Sequence, residues 1–225
     1  MANIFISREL NQCIWLKDEL SMLHHSLTCQ SCIQTQPVNF NLVSNYDWIF
    51  FSSSQGVQHF FSQNKNHPRA KLAAMGEGTA KALSPFGTPS FIGKSTTPAK
   101  VAEEFNHYLK KEEVVLFPVG KKSLKSIPQI LSSVKKEIIT VYDTIEIKNI
   151  IPEHHIYIFS SPSNFNSFIK NNSIPATSKI ISFGPSTSAS IQLLGLKVNV
   201  EISEASPKNI LNAIISILES SMNSM

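Results

Sequence analysis

The chain repeats itself, and the two copies share loop chemistry as much as core. Phe51-Ser52-Ser53 returns as Phe159-Ser160-Ser161, Gly76-Glu77-Gly78-Thr79 as Gly184-Pro185-Ser186-Thr187, and Gly87 as Gly195, each at an offset of 108 residues. Phe60, Lys71 and Leu83 find counterparts in Phe168, Lys179 and Ile191 at the same offset. Thr97-Pro98 matches Ser206-Pro207 after one inserted residue, and Ile4-Phe5-Ile6-Ser7 mirrors Val115-Leu116-Phe117-Pro118 at an offset of 111. Two units of about 110 residues therefore account for nearly everything. A duplicated α/β unit with hydroxyl- and glycine-rich loops is expected to place its ligand between the copies.

A chain of 225 residues fits one large domain or two small ones, and the repeat decides for two. With 42% hydrophobic and 16% charged residues it buries real cores and is no disordered polymer. The net charge of +4 is mild. It suits a polyanionic small molecule better than nucleic acid, whose binders carry a denser basic stripe. Lys121, Lys122 and Lys125 form the best basic cluster and read as a solvated helix face. No stretch approaches the ~20 apolar residues of a membrane span. The start of the chain, Met1-Ala2-Asn3-Ile4-Phe5-Ile6-Ser7, lacks the basic leader of a signal peptide. Cys13, Cys29 and Cys32 cannot all pair, which favours a reducing cytoplasm. Cys29 and Cys32 have metal-ligand spacing but no second pair, so no metal is expected. His24-His25 and His154-His155 read as solvated junction residues.

Strands are expected at residues 3–7, 47–51, 71–75, 89–92, 114–118, 138–142, 155–159, 180–183 and 198–200. A helix over 11–24 would bury Ile14, Trp15, Leu20 and Leu23. Residues 27–38 form a long, polar, strand-like stretch broken by Pro37, whose later part reads as a connector. Thr97 before Pro98 and Ser206 before Pro207 are the firmest helix starts, because a hydroxyl accepts a free N–H there and proline has none to lose. Alternating strands and helices imply parallel sheets covered on both faces. Right-handed crossovers then make two flavodoxin-like α/β domains the expected fold.

Ligands of such sheets bind beyond the carboxyl ends of the strands. The residues there are Ser7-Arg8, Ser52-Ser53-Ser54-Gln55, Gly76-Glu77-Gly78-Thr79, Pro118-Val119-Gly120, Ser160-Ser161-Pro162-Ser163 and Gly184-Pro185-Ser186-Thr187-Ser188. Several lead into helix starts, where free N–H groups and the helix dipole attract anions. Each hydroxyl taken alone could equally be an ordinary helix cap. No dinucleotide or P-loop fingerprint, G-x-S-x-G elbow or H-E-x-x-H helix is present. An enzyme built this way works by holding and folding its substrate.

Taken in order, these segments resemble the uroporphyrinogen-III synthase family over nearly the whole chain. The family pattern F-T-S-x-N-G-V corresponds to Phe51-Ser52-Ser53-Ser54-Gln55-Gly56-Val57, and G-x-x-T-A to Gly76-Glu77-Gly78-Thr79-Ala80. V-Y-x-T corresponds to Val141-Tyr142-Asp143-Thr144, and a second F-T-S-P copy to Phe159-Ser160-Ser161-Pro162. Ser52 and Ser160 replace threonine, Gln55 replaces asparagine, and Val119 stands where arginine is common. The resemblance implies a discontinuous domain (1–33 and 147–225), an inserted domain (40–137), and a two-stranded linker at 32–40 and 138–148. It implies closure of linear hydroxymethylbilane to uroporphyrinogen III with loss of water and inversion of ring D, without a cofactor. It implies substrate binding by Ser7, Arg8, Ser52, Ser53, Ser54, Gln55, Gly76, Gly78, Thr79, Gly120, Ser160, Ser161, Ser163, Gly184, Ser186, Thr187 and Ser188. Tyr142 would be either the acid or a structural tyrosine packed between sheets. A monomer in transient contact with the upstream deaminase completes the picture. The rival readings are a non-catalytic bilobed binding protein for an anionic metabolite and, more weakly, a pair of phosphosugar-binding domains.

Overall fold

The computed structural model describes residues 1–42, 45–64, 70–95, 97–123, 125–131, 134–204 and 206–222. The chain runs β1 (Asn3–Ile6), a 3-10 turn (Leu10–Gln12), α1 (Ile14–Met22), β2 (Ser26–Cys29) and β3 (Ile33–Pro37). It continues through β4 (Trp48–Phe51), α2 (Ser54–Gln63), β5 (Lys71–Ala74), α3 (Glu77–Leu83), β6 (Phe91–Ile92) and α4 (Pro98–Asn106). Next come β7 (Val114–Gly120), α5 (Ser126–Ile130), β8 (Lys135–Glu146), β9 (Ile156–Phe159) and α6 (Pro162–Ile169). The last elements are β10 (Lys179–Phe183), α7 (Gly184–Gln192), β11 (Val200–Ile202) and α8 (Pro207–Met222).

One sheet has the order β11-β10-β9-β1-β2 and the other β3-β8-β7-β4-β5-β6. All pairings within the first sheet, and those of β8-β7-β4-β5-β6 in the second, are parallel. The first sheet has the flavodoxin-like order 2-1-3-4-5. The sequence repeat explains the second: β4, β5 and β6 hold the places of β9, β10 and β11, while β7 and β8 hold those of β1 and β2. Each repeat thus supplies strands to both sheets. Accordingly the chain divides into a unit of residues 1–34 with 146–225 and a unit of residues 35–145.

The central strands β4 (Trp48, Ile49, Phe50, Phe51) and β9 (Ile156, Tyr157, Ile158, Phe159) are buried at every position, as strands covered on both faces must be. Alternate side chains enter separate cores. Ile4 and Ile6 pack with Leu16, Leu20 and Ile214, while Phe5 joins Tyr157, Phe159, Phe165 and Phe168 on the other face. In the second sheet Phe50 and Phe117 pack with Phe105, and Ile49 and Phe51 with Phe60. Four helix starts follow the hydroxyl rule. Ser53 caps α2 by accepting from Gly56 N, and Ser161 caps α6 through Asn164 N. Thr97 caps α4 through Lys100 N, and Ser206 accepts from Asn209 N.

Four local expectations need correction. The stretch 27–38 is two strands in different sheets, β2 beside β1 and β3 beside β8. Helix α1 begins only at Ile14 and buries Leu16 and Leu20 beneath Cys13, a stripe at i, i+3 and i+7 that leaves Ile14, Trp15 and Leu23 exposed. The strand expected at 138–142 spans Lys135–Glu146 and pairs with β7 as far as Tyr142, so its first part is sheet as well as connection. Three of the four histidines brace the fold, while His24 is exposed. His25 Nδ1 accepts from Ala2 N and His155 Nδ1 from Asn3 N, both at 3.0 Å. Buried His154 bonds the Pro152 carbonyl at 2.6 Å and Thr28 Oγ1 at 2.9 Å. Among the described residues no group of three or more His, Cys, Asp or Glu could hold a metal. No helix among them is long and apolar enough to cross a membrane.

Candidate active site

At the carboxyl ends of β1 and β9, Ser7 and Ser160 are tied to one another. Ser7 Oγ accepts from Ser160 N at 2.8 Å, and Ser160 Oγ donates to the Ser7 carbonyl at 2.7 Å. Asn164 Nδ2 donates to Ser161 Oγ at 3.2 Å, while its Oδ1 accepts from Cys32 N at 2.8 Å. These serines therefore build the loop floor, whereas Ser163 is exposed. Arg8 follows Ser7 and lays its guanidinium 4.6 Å from the centre of the Phe183 ring. Burial lowers the Arg8 pKa from the ordinary arginine value, yet a guanidinium stays protonated. Among the described residues it forms no ion pair, so a half-buried cation on an aromatic plate is open to an anion.

Next to that plate, Gly184 opens α7 in the left-handed region at φ 72°, with no atom within 4 Å of the place a side chain would take. No side chain caps α7, and Pro185 fills its first turn. Ser186 is exposed and Thr187 buried. Ser188 is buried, shares a 2.6 Å hydrogen bond with Ser182 Oγ and donates to Glu201.

The second sheet repeats the pattern with its own chemistry. Helix α3, like α7, starts without a side-chain cap behind Gly76, with Gly78 exposed and Thr79 buried. Ser52 is exposed at the end of β4 and joins Met75, Phe117, Val119 and Lys125 around a pocket of about 230 Å³. Ser54 is half-buried. Gln55 is half-buried, and its Oε1 accepts from Thr35 Oγ1 at 2.9 Å. Gly120 lies against a neighbouring ring: a Cβ there would lie 2.6 Å from Tyr142 Cζ and 2.9 Å from Tyr142 Oη. Tyr142 is partly buried on β8, in register with Gly120, and its Oη lies 3.4 Å from Ser53 Oγ. Its ring stacks on His59, with centres 5.3 Å apart and planes 22° from parallel. Sequence reasoning passed over His59; the i, i+4 spacing of Gln55 and His59 on α2 was the available signal.

In each unit, hydroxyl-lined loops and an uncapped helix start offer hydrogen-bond donors to an anion, and the unit of residues 35–145 adds the Tyr142 phenol. The family model for uroporphyrinogen-III synthase HemD matches residues 16–212. The chain belongs to the uroporphyrinogen-III synthase family. It is similar to the uroporphyrinogen-III synthase of Chlorobaculum parvum, 24% identical over 227 residues that cover 89% of this chain and 92% of that protein. The fold is also that of the Helicobacter pylori synthase structure, at 19% identity and a TM-score of 0.73, covering 96% of this chain and all of that one. A mutant synthase from the extreme thermophile Thermus thermophilus matches with a TM-score of 0.62 and 12% identity, over 98% of this chain and all of that one. The family's reaction is the cyclisation of hydroxymethylbilane to uroporphyrinogen III, a hydro-lyase step of porphyrin and haem biosynthesis. A non-catalytic binding protein finds no support in these likenesses.

Proposed function

We propose that the carboxyl-end loops of both sheets bind the carboxylates of hydroxymethylbilane, and that Tyr142 assists departure of its hydroxyl. The substrate carries eight carboxylates, so it needs many donors and a few cations. Arg8, the open starts of α3 and α7, and the hydroxyls of Ser52, Ser54, Ser163 and Ser186 are the groups this chain offers. The pocket beside Ser52 and Lys125 has apolar walls of Met75, Phe117 and Val119, which suit the flat face of a pyrrole.

The observation that carries the reading is the fixed phenol. Gly120 and His59 hold the Tyr142 ring among the loops that end β4 and β7. A phenol O–H is a hydrogen-bond donor that can hand its proton to a neighbouring oxygen. It donates to the substrate hydroxyl as the C–O bond breaks and the electron pair leaves with oxygen, and water departs. The electron-rich ring D then attacks through its substituted carbon, giving the spiro intermediate from which the inverted ring closes. Spontaneous closure gives the uninverted isomer, so positioning decides the product.

Free Cys13, Cys29 and Cys32 support a reducing cytoplasm. The same reading makes the chain a monomer that meets the upstream deaminase transiently; sedimentation of the chain with and without that deaminase tests both. The decisive experiment presents enzymatically made hydroxymethylbilane and separates the isomers. Isomer III in excess over isomer I is expected. Isomer I alone, at the spontaneous rate, would reject the reading.

A further inference from the structure

We propose that His59 is a positioning residue for the Tyr142 phenol, held in that task by a hydrogen-bonded brace through Thr35 to Gln55. The inference rests on the reading of Tyr142 as the acid. Helix α2 presents Gln55 and His59 one turn apart, and both reach Thr35 on β3. Thr35 Oγ1 donates its single proton to Gln55 Oε1, so the same oxygen must accept from His59 Nε2, 2.9 Å away. The imidazole therefore carries its proton on Nε2. Burial lowers the His59 pKa below the ordinary histidine value, consistent with a neutral ring whose Nδ1 is bare.

The ring fixed in this way is the one stacked on Tyr142 at 5.3 Å. Gly120 bounds the hydroxyl end of the phenol, and Ser53 Oγ lies 3.4 Å from Oη. Strand β8 fixes the backbone of Tyr142, but the direction of its hydroxyl depends on rotation about the side-chain bonds. A stacked neighbour with its own anchor limits that rotation, and a displaced donor forfeits proton transfer because the acid must lie within hydrogen-bond reach.

The experiment is a double-mutant cycle on the full chain with hydroxymethylbilane, reading kcat, KM and the isomer III to I ratio. His59→Ala is expected to lower kcat roughly tenfold to a hundredfold with little change in KM, as misplacement of a catalytic group does. Thr35→Val, which cuts the brace but keeps the ring, should move kcat in the same direction. It also keeps the test available if His59→Ala fails to fold. In a Tyr142→Phe background neither substitution should slow the reaction further. An unchanged kcat in folded His59→Ala and Thr35→Val, with Tyr142→Phe slow, overturns the brace and leaves the acid standing. Equal losses in both backgrounds overturn it too, because His59 would then act independently of the phenol. Full activity of Tyr142→Phe removes the acid itself, and the proposal with it.

Discussion

Tyr142 and Gly120 are one device seen from two strands. Tyr142→Phe removes the donor but keeps the ring, so the fold should persist while the rate of isomer III formation falls by ~10²–10⁴-fold. Isomer I should rise as spontaneous closure competes. Product analysis by isomer checks this, and an unchanged rate in a folded variant would end the catalytic role. Gly120→Ala tests the same geometry from the opposite side. Its methyl would meet Tyr142 Cζ at 2.6 Å, so the ring must move. Activity should drop along with a stability loss of about 1–3 kcal/mol, the usual cost of overpacking. Urea melts and rate measurements together would reveal it; wild-type values in both would show that the ring has slack. His154 gives a residue-scale prediction about pH. Its Nδ1 donates to the Pro152 carbonyl, so Nε2 of the neutral ring accepts from Thr28. Burial lowers its pKa in the folded state, so the unfolded chain binds the proton more readily. Stability from this group is complete above the unfolded value of ~6.5 and is lost as pH falls through and below it. The urea midpoint should therefore drop from about pH 7.5 to about pH 5, and drop less in His154→Gln. An identical pH dependence in both proteins would rule His154 out as a source.

Among the elements, α7 is the helix whose start differs most from a plain cap. Serines close α2 and α6 through their own hydroxyls, whereas α7 begins at Gly184 with φ 72° and open space beyond it. A β-branched side chain at that φ is strained and would project into the open space where the proposed carboxylate would approach. Gly184→Val should weaken binding of uroporphyrinogen III at least tenfold while a cooperative melt persists. Calorimetric titration would decide, and unchanged affinity would confine this loop to structure. Such differences between helix starts are hard to read in sequence, because Ser53 and Ser186 both sit in short hydroxyl-rich runs. The repeat and the buried strands β4 and β9 were legible because short continuous apolar runs between turn signals fit central parallel strands. The join of β2 and β3 was not, since Cys29-Gln30-Ser31-Cys32 holds neither glycine nor proline to mark a turn. Ser188 and His59 owe their roles to Glu201 and Thr35, partners on separate strands that local spacing cannot supply. The family motif pointed to Tyr142, but its ring contacts with His59 and Gly120 were not legible.

For the whole molecule, the exchange of strands between repeats sets what can fold alone. Residues 35–145 contain β4 to β7 and nearly all of β8, whereas residues 1–110 hold β1 and β2 without β9, β10 or β11. We expect a 35–145 fragment to melt cooperatively and a 1–110 fragment not to, by circular dichroism. The reverse result would reject the division of the chain described above.

The same interleaving has a consequence on the ribosome. Translation delivers β1 and β2 ahead of the middle unit, yet the open side of β1 takes its partner only from β9, which begins at Ile156. While more than a hundred residues of the middle unit emerge and close on themselves, a short parallel ribbon waits with one edge unmatched. Strands made before the middle unit are thus secured after it, and a nascent chain stalled between β8 and β9 would expose the apolar strand Asn3–Ile6 to whatever chaperone is at hand.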